Sequence, residues 1–147
     1  ITLFYKGKKM QITRQADYAV RAVLYLARLG MGNRAATSTI AEDQHIPPSF
    51  LAKIVSQLSI AGLLHTSRGA RGGVTLARNS EDITLLEVVE AIDGPIRLNE
   101  CAHSDGMCAF SNDCPLVSIW QDAQSDLVNR LGNANFAQFV RKQKKLA

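Results

Sequence analysis

All three cysteines of the chain, Cys101, Cys108 and Cys114, fall within the fourteen residues "CAHSDGMCAFSNDC". Six and five residues lie between them, in a polar stretch holding Ser104, Gly106, Ser111, Asn112 and Asp113 rather than a core pattern. Thiolates are soft metal ligands, and a structural zinc site takes them as close C-x2-C or H-x3-H pairs. No such pair is present, so zinc is disfavoured. Wider spacing on a loop lets three sulfurs wrap a larger object such as an iron–sulfur cluster. Three ordinary thiols, one of them redox-active, is the alternative that the spacing leaves open.

The elements that would position such a site are bounded by composition. With 147 residues, the chain reads as one domain, or one small domain with an appended helix, able to bury a core without disulfides. An odd cysteine count with no leader pattern ahead argues against a secreted disulfide scaffold, and the expected compartment is the cytoplasm. The longest apolar run, around "AVLYLARLG", is preceded by Arg21 and broken by Arg28 and falls short of the ~20 residues of a membrane span, so no membrane partner is expected. The first nine residues, "ITLFYKGKK", show no sustained period and are read as a tag or upstream extension.

Charge is unevenly divided. Residues 1–80 carry eleven Lys or Arg against three acids, whereas residues 81–147 carry six against ten. Such an asymmetry points to a nucleic-acid surface in the first half, against the plainer reading of an ordinary basic face. The charge boundary divides the expected organisation into a nucleic-acid-binding unit over residues 10–80 and a second part over residues 81–147 that holds the cysteine loop and the helices around it.

From Thr13 to Leu29 the pattern is helical, with Thr13 as N-cap and Ala19, Ala22, Val23 and Leu26 on one face. Asp17 stands opposite, where its simplest role is an i,i+4 pair with Arg21. Ser38 is expected to cap a short helix, "TIAEDQ". Pro47 and Pro48 then open a second, "PSFLAKIVSQLSIAG", ended by Gly62. Two helices on a tight turn read as a helix-turn-helix. In the second, Leu51, Ile54, Val55 and Leu58 form the core face, and Ser49, Lys53, Ser56 and Gln57 form a polar stripe able to meet base edges and phosphates.

"LLHTSRGARGGVTLA" then predicts strands over 63–67 and 74–77 around a glycine-rich tip carrying Arg68 and Arg71. A helix-turn-helix followed by a basic hairpin outlines a winged helix whose tip arginines contact DNA. The tip lacks the Lys-Ser ending and following helix of a P-loop, so no nucleotide is expected. The fold class is therefore mainly α with a small β-hairpin wing: a winged helix-turn-helix plus a long C-terminal dimerisation helix.

Thr84 opens a further helix, "TLLEVVEAIDG", with Leu85, Val88, Val89 and Ile92 inward and Gly94 and Pro95 at its end. From Pro115 to Leu131, Leu116, Trp120, Ala123 and Leu127 share a stripe broader than a small monomer easily covers, which predicts a homodimer contact, with packing on its own domain as the alternative. "NANFAQFVRKQKK" predicts one more short helix ending in lysines.

Taken together, "MQITRQADYAVRAVLYLA", "PPSFLAKIVSQLSIAGLLHTSRGARGGVTLA", "ITLLEVVEAIDG" and three cysteines ahead of a tryptophan-bearing helix resemble the Rrf2 family of bacterial winged-helix regulators, over about residues 10–143. The resemblance implies a homodimeric transcription factor, usually a repressor, which binds a double-stranded operator and whose iron–sulfur cluster answers nitric oxide, iron supply or redox state. By position, Cys101, Cys108 and Cys114 match the family's cluster ligands. The IscR-type fourth ligand, a histidine three residues after the last cysteine, is replaced by Val117. In some NsrR-type members an aspartate of the first helix reaches across from the other subunit, and Asp17 occupies that position. The resemblance thus favours a 4Fe-4S cluster with Asp17 as oxygen ligand. A 2Fe-2S cluster, or Glu100, His103 or solvent as fourth ligand, are the alternatives. Ser49, Lys53 and Arg68 match DNA-touching positions, and Ala52 stands where IscR-type members can carry a glutamate that discriminates between site classes, which implies one operator class. A cluster-free thiol-sensing regulator is the competing function. An electron carrier or small enzyme is disfavoured, since no substrate-pocket signature, catalytic pairing or nucleotide loop is visible.

Overall fold

The structure, a computed structural model, describes residues 11–102 and 113–146. Thr13 has extended backbone and its Oγ1 accepts from Ala16 N at 3.1 Å, so one of the orphan amides of helix α1 (Arg14–Leu29) is satisfied by the cap that the sequence predicts. Helix α2 spans Thr37–Asp43 and helix α3 spans Pro48–Ile60. Ser38 is not the cap of α2: the helix starts two residues earlier than expected, at Thr37, and Ala36 takes the N-cap position with no side-chain bond. The α2–α3 turn passes through His45 at φ 52°, a left-handed conformation that glycine usually supplies. Ile46 N bonds back to Ala41 O at 2.9 Å, which closes the turn.

Strands β1 (Leu64–Ser67) and β2 (Gly73–Leu76) pair antiparallel, with Leu64 opposite Leu76 and Ser67 opposite Gly73. Each sits one residue from its expected bounds: β1 begins, and β2 both begins and ends, one residue off. Val74 also exchanges both backbone bonds with Ala35, at 2.8 and 3.0 Å, so the hairpin is tied to the segment that opens α2.

Helix α4 (Leu85–Asp93) begins in a capping box, Thr84 accepting from Glu87 N while the Glu87 side chain accepts from Thr84 N. A 3-10 turn at Glu100–Ala102 follows, then helices α5 (Val117–Gly132) and α6 (Phe136–Leu146). Helix α5 starts at Val117 rather than Pro115. One hydrophobic cluster runs through the molecule: Ala19, Val23 and Leu26 of α1, Ile40 of α2, Leu51, Ile54 and Leu58 of α3, Leu64, Val74 and Leu76 of the hairpin, Val88 of α4 and Phe136 of α6. The charge boundary near residue 80 is thus not a packing boundary. Phe136 is fully buried, and its N–H donates to Ile83 O at 3.1 Å while Leu85 N donates to Ala134 O at 2.8 Å. The return of the chain from α5 into α6 therefore closes the core beneath α1. Among the described residues no helix is long and apolar enough to cross a membrane.

Candidate functional site

The inward face of α3 is apolar throughout: Leu51, Ile54, Val55 and Leu58 are all buried. That burial fixes the helix rotation and leaves Ser49, Lys53 and Ser56 exposed. Gln57 departs from the expected stripe. It is half-buried, and its Oε1 is enclosed without a hydrogen-bond partner among the described residues.

Arg68 and Arg71 are both exposed at the hairpin tip. The tip closes through Gly72 N to Gly69 O at 2.8 Å, with Gly69 at φ +97°. Two of its glycines, Gly72 and Gly73, leave no room for a side chain. A β-carbon on Gly73, itself at φ +150°, would lie 2.8 Å from Ala35 O, and one on Gly72 would collide with the Ser67 carbonyl oxygen. Arg34 donates to the Arg71 carbonyl and so braces the tip from the loop before α2. Sequence reasoning passed over Arg34 because nothing in "GNRAA" marks its partner; its only signal was the run of basic residues in the first half.

A second brace lies behind the helix-turn-helix. Arg21 of α1 donates to Asp17 Oδ2 from Nε at 3.1 Å and from Nη2 at 2.8 Å, and its Nη1 donates to Gln44 O at 3.0 Å. Its guanidinium also stacks 4.8 Å from the Tyr18 ring centroid. The i,i+4 pair read from the sequence is present, with the Asp17 side chain 59% exposed. The bond to the turn carbonyl was not legible, since it joins residues 23 positions apart.

Of the cysteines, Cys101 lies in the 3-10 turn and Cys114 in the turn before α5, and both are half-buried. Cys108, His103 and the Glu100 side chain lie outside the described residues. Asn99 Oδ1 accepts from Ala102 N at 2.9 Å and caps the turn. Gln124 of α5 fastens the segment before it, accepting from Leu98 N at 2.8 Å and donating to Ile96 O at 2.6 Å. The 3-10 turn thereby packs on α5. Val117, three residues beyond Cys114, is the first residue of α5 and has no ligating atom in its side chain. Among the described residues no three His, Cys, Asp or Glu side chains converge as a metal site.

Helix α5 buries none of its residues. Leu116 just ahead of it is 53% exposed, Trp120 is 40% exposed, Ala123 is exposed and Leu127 is half-buried. Ile119, absent from the expected stripe, is the most open of these apolar side chains at 62%.

Residues 12–142 match the family model for Rrf2, described as an iron-dependent transcriptional regulator. The chain is 29% identical over 137 residues to the HTH-type transcriptional regulator IscR of Xenorhabdus nematophila, across 93% of this chain and 83% of the relative. It is 39% identical over 87 residues to a protein of Mycobacterium tuberculosis named as an HTH-type transcriptional regulator, across 59% of this chain and 54% of the relative. That match spans about half of the mycobacterial protein's length. Among solved structures, the fold is shared with CymR, the global cysteine regulator of B. subtilis (TM-score 0.73, 20% identity, 90% of this chain and 97% of that one), and with T. potens IscR (TM-score 0.72, 21% identity, 92% and 90%). Since the helix-turn-helix, the basic wing and the cysteine segment all fall inside the matched span, the chain belongs to the Rrf2 family of transcriptional regulators.

Proposed function

We propose that this regulator acts as a homodimeric repressor on a double-stranded operator, with Ser49, Lys53 and Ser56 on α3 reading the major groove and Arg68 and Arg71 at the wing holding phosphate or the minor groove. One observation carries the reading. A recognition-type helix, α3, with its apolar face buried and Ser49, Lys53 and Ser56 open is followed by a basic hairpin, which the Ala35–Val74 bridge ties to the segment that opens α2 of the same helix-turn-helix. The family's members are transcription regulators rather than enzymes.

We further propose that Cys101, Cys108 and Cys114 hold an iron–sulfur cluster, 4Fe-4S in preference to 2Fe-2S, with Asp17 of the partner subunit as oxygen ligand. The donor chemistry fits: two of the thiols are half-buried on a turn and a loop fastened to α5, and the neighbouring Val117 leaves the fourth position to another residue. When bound, such a cluster supplies a centre responsive to redox state, iron supply or nitric oxide. The chain's own contribution is the link from Asp17 through Arg21 to the Gln44 carbonyl of the turn. A ligand alters DNA binding only by favouring one of two arrangements of the reading heads, and this link gives Asp17 a mechanical hold on one of them.

A second reading, a cluster-free thiol sensor, is favoured by the Asp17 carboxylate being held already by Arg21 at 2.8 Å. Anaerobic purification with iron and sulfide counts and an absorption spectrum, followed by a DNA shift assay before and after nitric oxide, separates the two. Coloured protein with stoichiometric iron and sulfide and a nitric-oxide-sensitive shift supports the cluster. Colourless protein that still shifts DNA supports the thiol sensor.

A further inference from the structure

Phe50 is 43% exposed on the first turn of α3. A lone exposed apolar side chain is ordinary on a protein surface, but three observations set this one apart. It lies between Ser49 and Lys53 at the N-terminal end of the reading helix, which is the part that meets base edges when such a helix enters the major groove. Its ring is held from behind, edge-on against Tyr18 of α1, with centroids 6.3 Å apart and planes at 65°. Tyr18 is in turn fixed by the Arg21 guanidinium at 4.8 Å. The ring is therefore supported on one side and open on the other.

We infer that Phe50 is a specificity-determining residue that packs against the 5-methyl group of a thymine in the operator. In the major groove thymine alone carries a methyl group, and a phenyl ring is an apolar partner for it. Serine and lysine beside it supply hydrogen bonds and charge; Phe50 supplies the one contact that those side chains cannot make. This inference rests on the proposed DNA-binding role.

The test selects the preferred duplex from a random pool with the intact wild-type protein, then replaces each thymine of that duplex in turn by deoxyuridine, which removes only the methyl group. The expected result is a rise in Kd of about fourfold at one thymine of each half-site, the effect of losing one buried methyl-sized group. Other thymines stay silent. Phe50→Ala should bind the thymine and deoxyuridine duplexes equally. Retention of the full methyl preference in that variant overturns the inference, as does the absence of any sensitive thymine with the wild type. Where Phe50→Ala does not fold, 5-iodouracil at the sensitive position is photocrosslinked to wild-type protein: attachment at Phe50 supports the contact and attachment only elsewhere overturns it. Failure of the wild type to enrich any duplex overturns the DNA-binding role itself, and the inference with it.

Discussion

Arg21 holds Asp17 and the helix-turn-helix with a single guanidinium: Nη2 lies 2.8 Å from Asp17 Oδ2 while Nη1 lies 3.0 Å from the Gln44 carbonyl oxygen. The two bonds have different worth. The carboxylate pair is largely in water, where such pairs contribute little. The carbonyl bond is part-buried, joins α1 to the end of α2, and is backed by the stack on Tyr18.

Arg21→Ala and Asp17→Ala should accordingly differ in the apo protein. Chemical denaturation is expected to show a loss of about 1–2 kcal/mol for Arg21→Ala, from a charged hydrogen bond to a carbonyl plus a cation–π contact. For Asp17→Ala the loss should stay within about 0.5 kcal/mol. In the proposed holo form the order reverses. Asp17→Ala should speed the loss of cluster absorbance under a chelator, whereas an unchanged decay and an unchanged nitric oxide response would remove Asp17 from the ligand set.

Glu87 couples the fold to acid. Burial pushes its carboxyl up, but the hydrogen bond from Arg78, those from Thr84 and the Arg78 charge together hold it below its ordinary value. A depressed folded pKa means that the ionised group stabilises the fold above the unfolded value of about 4.3, and that this contribution disappears as pH falls through the folded value. Glu87→Gln retains a capping-box side chain but loses the ion pair. Since both partners are about two-fifths exposed, the expected cost at pH 7 is about 0.5 kcal/mol, shrinking toward zero as pH falls below the depressed folded value. Thr84→Ala should instead cost about 1 kcal/mol. Urea unfolding midpoints across this pH range check both.

Periodicity made legible whatever follows from a helix burying one face. Leu51, Ile54, Val55 and Leu58 lie where their 3.6-residue spacing puts them, and Thr13 and Thr84 cap as their types predict. Contacts between distant parts of the chain left no such trace. Phe136 gives no sign in "NANFAQF" that it completes a core begun at Ala19, and His45 is not the residue type that announces a left-handed turn. At the candidate site, side chains with distinctive chemistry were found by type: the cysteines, the wing arginines and Asp17. Arg34, Gln124 and the Arg21–Gln44 bond were missed because their partners are backbone carbonyls and amides, which carry no sequence signature.

The wing should be intolerant of side chains at Gly72 and Gly73 in a way that Gly69 is not. Gly69 has a positive φ but open space around the missing β-carbon, so Gly69→Ala is expected to cost about 1 kcal/mol in backbone strain alone. Gly73→Ala adds a collision with the Ala35 carbonyl, which is part of the bridge that ties the hairpin to α2. Its expected cost is about 2–3 kcal/mol, with faster amide exchange at Val74. Operator affinity should fall even at temperatures where the α-helical signal is intact. Equal stability of the two variants would show that the hairpin shifts freely against α2.

The open face of α5 supplies the last prediction. Leu116, Ile119 and Trp120 cluster at 53%, 62% and 40% exposure, and a contiguous apolar surface of this kind marks an interaction site. With the partner proposed to be a second copy, Ile119→Glu combined with Trp120→Ala should bury a charge in the contact and remove its aromatic anchor. Sedimentation equilibrium is expected to show a single 16.0 kDa chain where the wild type gives twice that mass. The thermal midpoint should lose its dependence on protein concentration. Operator binding should weaken as well, since two reading heads no longer engage two half-sites at once, while the contacts of each head remain. A double variant that stays dimeric would show that another surface joins the subunits.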